Sequence, residues 1–259
     1  MPLNINISIN NVSEQNKIYF ASDFHLGIPD FTKSRERELL IVKWLDEISK
    51  DANQIYLLGD LFDFWFEYKH TIPKGYVRFL GKLAQLVDSG IEIMVFTGNH
   101  DMWMFGYLEK EIGVKIIREP LDIKIGSKKF HIAHGDGLGP GDRSYKFIKK
   151  IFSNSFCKWL FARIHPNLGI SIANYWSKKS RANDNFPGKF MGEDKEWLIT
   201  YCKDKLTQEH YDYFVFGHRH FPIEYSLQEN SKYINLGDWL NHYTYAVYDG
   251  EKIELNKFV

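Results

Sequence analysis

Five short runs rich in β-branched and aromatic residues each stop at side chains that bind metal. Lys17-Ile18-Tyr19-Phe20-Ala21-Ser22 leads into Asp23-Phe24-His25, and Gln54-Ile55-Tyr56-Leu57-Leu58 into Gly59-Asp60. Glu92-Ile93-Met94-Val95-Phe96-Thr97 leads into Gly98-Asn99-His100-Asp101, Lys129-Phe130-His131-Ile132-Ala133 into His134-Gly135-Asp136, and Tyr213-Phe214-Val215-Phe216 into Gly217-His218-Arg219-His220. Runs of this length and composition suggest buried strands. Carboxylates and imidazoles gathered at the ends of buried strands are costly unless a cation compensates them. The pattern therefore demands a fold that brings these strand ends together around metal.

Helical patterns separate the runs. Ser34 is placed to cap a segment with Ile41, Leu45 and Ile48 on one face, and Pro73 to open another through Val77, Leu80, Ala84 and Val87 that stops at Gly90. Alternating strands and helices build crossover units and an α/β fold, largely a central sheet covered by helices, with sites at the carboxyl ends of the strands. The tail (Tyr233-Ile234-Asn235-Leu236, Tyr245-Ala246-Val247-Tyr248, Ile253-Glu254-Leu255) has no long helix between its strands and is expected to form antiparallel hairpins in a second sheet. With no repeat or linker, residues 1–259 are expected to form one domain.

One stretch differs in charge. The chain has 33 Lys+Arg and 33 Asp+Glu, yet residues 138–195 hold 11 basic against 4 acidic residues, a net of +7. The same stretch contains Tyr145, Phe147, Phe152, Phe156, Trp159, Phe161, Tyr175, Trp176, Phe186 and Phe190. Lying between two site-bearing strands, it is expected to be a helical cap inserted over the site. Most of its aromatics are expected to pack the cap together and onto the sheet. The overall neutrality argues against a dedicated nucleic-acid binder. The N-terminus lacks a signal-peptide pattern, no apolar run is long enough to span a bilayer, and two cysteines are too few for a disulfide framework; a cytoplasmic protein is expected.

Asp23, His25, Asp60, Asn99, His134, His218 and His220 combine carboxylate, imidazole and one amide oxygen. That set, without thiolate, suits Mn²⁺, Fe²⁺ or Zn²⁺ better than Ca²⁺. In extended backbone, residues i and i+2 point the same way, so Asp23/His25 and His218/His220 can each present a pair. Seven ligands with one shared carboxylate make a site for two ions roughly 3.5–4 Å apart, which favours in-line displacement at phosphorus by a hydroxide held between them. His131 alternates with His134 and is read as a structural histidine; His70, His165, His210 and His242 belong to no motif.

In order and spacing, Asp23-Phe24-His25, Gly59-Asp60-Leu61-Phe62-Asp63, Gly98-Asn99-His100-Asp101, His134-Gly135-Asp136 and Gly217-His218-Arg219-His220 resemble the calcineurin-like metallophosphoesterase pattern across most of the chain. The resemblance implies a four-layer α/β/β/α sandwich with a dinuclear, often manganese-containing site. It implies that Asp23, His25, Asp60 and His220 hold one ion and that Asp60, Asn99, His134 and His218 hold the other. His100 would contact the substrate phosphate or assist the leaving group, Asp101 would orient its ring, and Asp63 would fix a ligand histidine.

Gly59-Asp60-Leu61-Phe62-Asp63-Phe64-Trp65, the cap, and Asn235-Leu236-Gly237-Asp238-Trp239 are similar to the UDP-2,3-diacylglucosamine pyrophosphatase family of lipid A synthesis. That family cleaves its substrate to UMP and the diacylated sugar 1-phosphate. The likeness implies substrate contacts from Asp142, Arg143 and Tyr145 and from Ser177, Lys178 and Arg181, and peripheral contact with the inner membrane. The best-known members read Gly-Asn-Arg-Asp at the third motif, where this chain has His100. Another dinuclear phosphoesterase (nucleotide pyrophosphatase, phosphodiesterase or protein phosphatase) is the alternative. A non-catalytic scaffold ranks last, because no ligand is missing.

Overall fold

Alternate residues of each central strand divide the apolar side chains between two layers of core. In the computed structural model, which describes residues 16–140, 143–183, 190 and 192–259 but not the side chains of 143, 144, 178–183 and 194, strand β1 (Lys17–Ala21) sends Ile18 and Phe20 to one side and Tyr19 and Ala21 to the other. β2 (Ala52–Leu57) and β3 (Glu92–Phe96) repeat the division. One face packs on α1 (Phe31–Ile48) and α2 (Val77–Asp88) through Trp44, Leu45, Phe79 and Leu83. The other packs on a second sheet.

The first sheet adds β4 (Lys115–Ile117), β10 (Thr244–Tyr248) and β11 (Ile253–Lys257) in the order β11-β10-β1-β2-β3-β4. The second contains β5 (Leu121–Ile125), β6 (Lys128–Ala133), β7 (Tyr213–Phe216), β8 (Pro222–Gln228) and β9 (Ser231–Leu236), ordered β5-β6-β7-β9-β8. Phe20, Tyr56 and Met94 of the first sheet share a core with Phe130, Val215 and Ile234 of the second. Leu198, Ile199 and Cys202 of α6 (Trp197–Leu206) cover the second sheet's outer face against Phe214, Phe216 and Tyr233. The layers are α/β/β/α, as the family resemblance implies.

Local expectations needed three corrections. Asp30, not Ser34, caps α1 by accepting from the Lys33 amide at 2.9 Å; Ser34 sits inside the helix, where its Oγ accepts from the Gly27 amide. α2 begins at Val77 rather than near Pro73, with left-handed Tyr76 at its cap. Its first amides, Arg78 and Phe79, are satisfied by Glu38 Oε1 of α1. The tail does pair as antiparallel hairpins, β8 with β9 and β10 with β11, but not in a sheet of its own: β9 pairs parallel to β7, whereas β10 returns to lie antiparallel to β1.

Residues between β6 and α6 form α3 (Arg143–Ser153), α4 (Ser155–Phe161) and α5 (Pro166–Asn183), which meet the strand ends. Phe161 of α4 packs on Phe64, Phe66 and Trp103, and the Trp103 indole donates to the Phe152 carbonyl at 3.0 Å. Among the described residues, no helix is long and apolar enough to cross a membrane. Most described aromatics of this stretch do not pack inward: Phe147 (64%), Phe156 (65%), Tyr175 (66%), Trp176 (57%) and Trp159 (51%) are exposed. Short amphipathic helices laid over a rim bury one face only, and Phe152 and Phe161 occupy it.

Candidate metal centre

Each expected ligand sits just past the carboxyl end of a strand: Asp23 and His25 after β1, Asp60 after β2, Asn99 after β3, His134 after β6, His218 and His220 after β7. The site therefore straddles both sheets. Asp23 (φ 56°), His25 (42°), Asp60 (53°), His218 (68°) and His220 (53°) are all left-handed. Such backbone costs of order 1–3 kcal/mol per non-glycine residue and concentrates at functional sites. Asp23/His25 and His218/His220 thus converge through left-handed turns, not through the extended backbone expected from their spacing.

The loops can approach because glycines stand between them. A Cβ on Gly217 would lie 2.6 Å from Asp23 Oδ2 and from Ser22 Oγ, and one on Gly98 would overlap the Asp60 carboxylate and lie 2.5 Å from the Asp60 amide nitrogen. Buried Asp101 accepts from the amides of Gly98 (2.8 Å), Leu61 (2.7 Å) and Asp60 (3.2 Å), tying the second and third motifs together. It does not reach the His100 ring, so the orienting role expected of it falls to other groups. His100 Nδ1 lies 3.0 Å from the Asp63 carbonyl oxygen and 3.1 Å from Ser177 Oγ.

Among the described residues three groups of candidate ligands form: Asp23, His25, Asp60 and His220; Asp60, His134 and His218; and His25, Asp63 and His100, which shares His25 with the first. The His218 amide donates to Asp23 Oδ2 at 3.0 Å and the His100 amide to Asp60 Oδ1 at 2.8 Å. The other oxygens, Asp23 Oδ1 and Asp60 Oδ2, are buried and face, among the described residues, only imidazoles, His220 Nε2 at 3.1 Å and His134 Nε2 at 3.4 Å. His25 Nε2 and His220 Nε2 approach to 3.1 Å, and His25 Nε2 lies 3.8 Å from both of those oxygens. His134 donates from Nδ1 to the Leu58 carbonyl at 2.6 Å, which leaves Nε2 facing Asp60 Oδ2 (3.4 Å) and Asn99 Oδ1 (3.1 Å). Lone pairs crowded on a common point, with buried carboxylate oxygens among them, fit divalent cations.

The protonation pattern agrees. Burial pulls the His134 imidazole down, but the Asp60 carboxylate overrides it and raises its pKa to about 10. His220, likewise buried, is raised to about 9 by Asp23. Burial and the His134 charge depress His218 to about 4. Asp60 stays well below the usual carboxylate range, since the His134 and His100 imidazoles outweigh its burial.

Side chains that sequence reasoning missed support this centre. The buried Arg37 guanidinium donates to the carbonyls of Phe24 (2.7 Å), His25 (2.6 Å) and Ile28 (2.6 Å), holding the first loop in shape. Its signal was an arginine one turn before Ile41 on the apolar face of α1. Asn235 Nδ2 donates to the Gly217 carbonyl, and the Trp239 amide to the Asp23 carbonyl at 3.1 Å, which gives the Asn235–Trp239 segment a structural task. Lys149 pairs with Asp136 at 2.6 Å beside Tyr145, whose hydroxyl donates to the same carboxylate at 2.5 Å. The buried His131 accordingly serves the fold, bonded to Asp122 at 2.5 Å and facing Tyr201. Of the expected substrate contacts, Tyr145 and Ser177 lie at the site; Asp142 and the side chains of Arg143, Lys178 and Arg181 fall outside what is described.

A cavity of about 400 Å³ opens over Asn99 and His100, walled by Phe64, Phe66, Trp103, Phe161, Ile172 and Trp176. Beyond the Trp103–Phe152 wall, a more polar cavity of about 360 Å³ is lined by Thr97, Gly98, Arg118, His134, Asp136 and Lys149.

The model of the calcineurin-like phosphoesterase family matches residues 16–222. A protein of Porphyromonas gingivalis named UDP-2,3-diacylglucosamine hydrolase is 36% identical over 254 residues, covering 93% of this chain and 97% of its own. One of the same name from Shewanella halifaxensis is 25% identical over 239 residues, covering 91% and 95%. A solved dimetal phosphatase from Danio rerio is similar at a TM-score of 0.48 and 11% identity, covering 93% and 95%. With the five strand-end motifs meeting in one set of candidate metal ligands and their neighbours, and the family model spanning them, the chain belongs to the calcineurin-like phosphoesterase family and is a metal-dependent hydrolase.

Proposed function

We propose that this hydrolase cleaves the pyrophosphate of UDP-2,3-diacylglucosamine, releasing UMP and 2,3-diacylglucosamine 1-phosphate. The observation that carries the reading is the apolar cavity that opens directly over Asn99 and His100. An apolar wall of this kind beside the candidate metal ligands suits the acyl chains of a diacylated substrate. The 36% identical relative bears the name of that activity. The polar cavity beyond Trp103 takes the nucleotide half, and residues 138–195 act as the cap.

Asp23, His25, Asp60 and His220 would hold one divalent ion, and Asp60, Asn99, His134 and His218 the other, with Mn²⁺ the favoured identity ahead of Fe²⁺ or Zn²⁺. When bound, two such ions supply an activated water and charge neutralisation at phosphorus. The protein does the rest. The Asp63 carbonyl can only accept, so His100 donates to it from Nδ1; Nε2 is the ring nitrogen left for the substrate, and a second proton there would let it donate to the phosphate or the leaving group. Tyr145, Lys149 and Ser177 stand beside the anionic centre, and Asp142, Arg143, Lys178 and Arg181, whose side chains lie outside those described, are assigned to substrate on the family likeness alone; Asp101 ties the Asp60 loop to the third motif. The exposed cap aromatics and neighbouring lysines rest on the cytoplasmic face of the inner membrane, where such a lipid resides.

The test is incubation of the purified protein with Mn²⁺ and the lipid substrate in detergent, following UMP. Metal-dependent release, abolished by chelator and by Asn99→Ala, is expected. No release, alongside metal-dependent turnover of bis(p-nitrophenyl) phosphate, removes the lipid substrate and leaves the hydrolase.

A further inference from the structure

Ser177 lies on α5, far along the chain from the metal-binding motifs, yet it is buried against two of them. Its Oγ donates to Asp63 Oδ2 at 2.9 Å and lies 3.1 Å from His100 Nδ1. The other Asp63 oxygen, Oδ1, faces two imidazoles, His25 Nδ1 at 3.6 Å and His100 Nδ1 at 3.9 Å. Asp63 and Ser177 are only 4% and 8% exposed. His25 Nδ1 is buried and receives no closer partner, and its opposite nitrogen is the one aimed into the first cation cluster. The two rings meet edge to face at 4.9 Å. One carboxylate thus stands behind both a ligand histidine and the histidine over the substrate, and a hydroxyl from the cap holds that carboxylate.

α5 is seated firmly enough to do this. A Cβ at Gly169 would lie 3.3 Å from the Phe161 ring and would collide with the Tyr68 hydroxyl, so the helix backbone packs directly on those rings. Trp176, beside Ser177, packs on Phe152 of α3 at 6.0 Å.

We propose that Ser177 is a positioning residue: through Asp63 it sets the rings of His25 and His100, so that seating of the cap and competence of the metal centre are one event. Without the hydroxyl, Asp63 Oδ2 gives up the Ser177 hydrogen bond at 2.9 Å, and the carboxylate's hold on His25 and His100 weakens. Groups standing behind metal ligands control affinity by about 10–100-fold. The proposal rests on the metal-dependent hydrolase reading and not on the identity of the lipid.

The experiment compares wild type with Ser177→Ala, Ser177→Thr, Asp63→Asn and the Ser177→Ala/Asp63→Asn double variant, each as the full chain. Mn²⁺ binding to metal-free protein is measured by calorimetry, and turnover of bis(p-nitrophenyl) phosphate, which has neither acyl chain nor nucleoside, by absorbance. Ser177→Ala is expected to weaken Mn²⁺ binding and lower kcat by about ten-fold each. Ser177→Thr, keeping the hydroxyl, is expected to restore both. In the Asp63→Asn background Ser177→Ala is expected to add nothing, the signature of a residue that acts through another. Additive losses with unchanged Mn²⁺ affinity overturn the proposal and make Ser177 a direct substrate contact; no loss in either readout overturns it outright. If wild type binds Mn²⁺ but turns over no phosphodiester, the hydrolase reading fails on its own, and the affinity series still decides the role of Ser177.

Discussion

The backbone amide of His100 donates to Asp60 Oδ1 at 2.8 Å, so the loop after β3 holds one oxygen of the carboxylate that follows β2 and leaves the other, buried and facing the His134 ring at 3.4 Å, between the two groups of candidate ligands that share Asp60. Asp60→Asn replaces that second oxygen by an amide or misdirects it. Removing a mere supporting partner of a metal ligand costs about 10–100-fold, so this change at the shared ligand is expected to lower hydrolysis by more than ~100-fold. Inductively coupled plasma analysis is expected to find less metal bound than in wild type; full metal content with full activity would remove Asp60 from the centre.

Metal uptake is expected to release protons. In the metal-free protein His134 and His220, with pKa values raised to about 10 and about 9, hold protons at neutral pH because Asp60 and Asp23 stand beside them. Both values lie above the ordinary histidine value. Their ion pairs therefore stabilise the metal-free fold fully below about pH 6.5 and lose that contribution as pH rises through 9 to 10. Metal competes with those same protons, so apparent affinity rises with pH across this window. Calorimetry in buffers of differing ionisation enthalpy reads the protons directly, and a buffer-independent heat at pH 7 would contradict the assignment.

Gly217→Ala puts a methyl carbon 2.6 Å from Asp23 Oδ2, and the neighbours are backbone-anchored. Overpacking of this kind costs about 1–3 kcal/mol. The expected outcome is a lower melting temperature in the metal-free protein and a larger loss of metal content, because the displaced group is a proposed ligand. Unchanged metal binding would mean that the loops have slack that the contacts do not suggest.

Phe156 and Trp159 stack on one another at 6.0 Å on the exposed face of α4, flanked by Lys158 and Arg163. A Phe156→Ser/Trp159→Ser variant removes little internal packing, so its stability should stay within about 0.5 kcal/mol per site of wild type. Sedimentation with vesicles containing anionic phosphatidylglycerol is expected to show weaker binding than wild type. Equal sedimentation would detach these rings from any membrane role.

The grouping of the candidate metal ligands was legible in the sequence because each motif is local. Each motif is a few residues at the end of a strand, and ligand chemistry is a property of residue type. Tertiary structure decided how they meet. Asp and His tolerate left-handed backbone better than most residues, but spacing does not reveal where it occurs, and at Asp23, His25, Asp60, His218 and His220 it replaced the extended pairing that spacing suggests. Asp101 reads as a neighbour of His100, yet four backbone amides claim its carboxylate, because a short loop aims adjacent side chains in different directions. Arg37, Lys149 and Ser177 lie on helices whose surfaces are defined only once packed, so their contacts with the first loop, Asp136 and Asp63 are long-range events. The exposed cap aromatics carry the same lesson: hydrophobicity records what a residue would bury, and only the packed fold shows whether there is anything to bury it against.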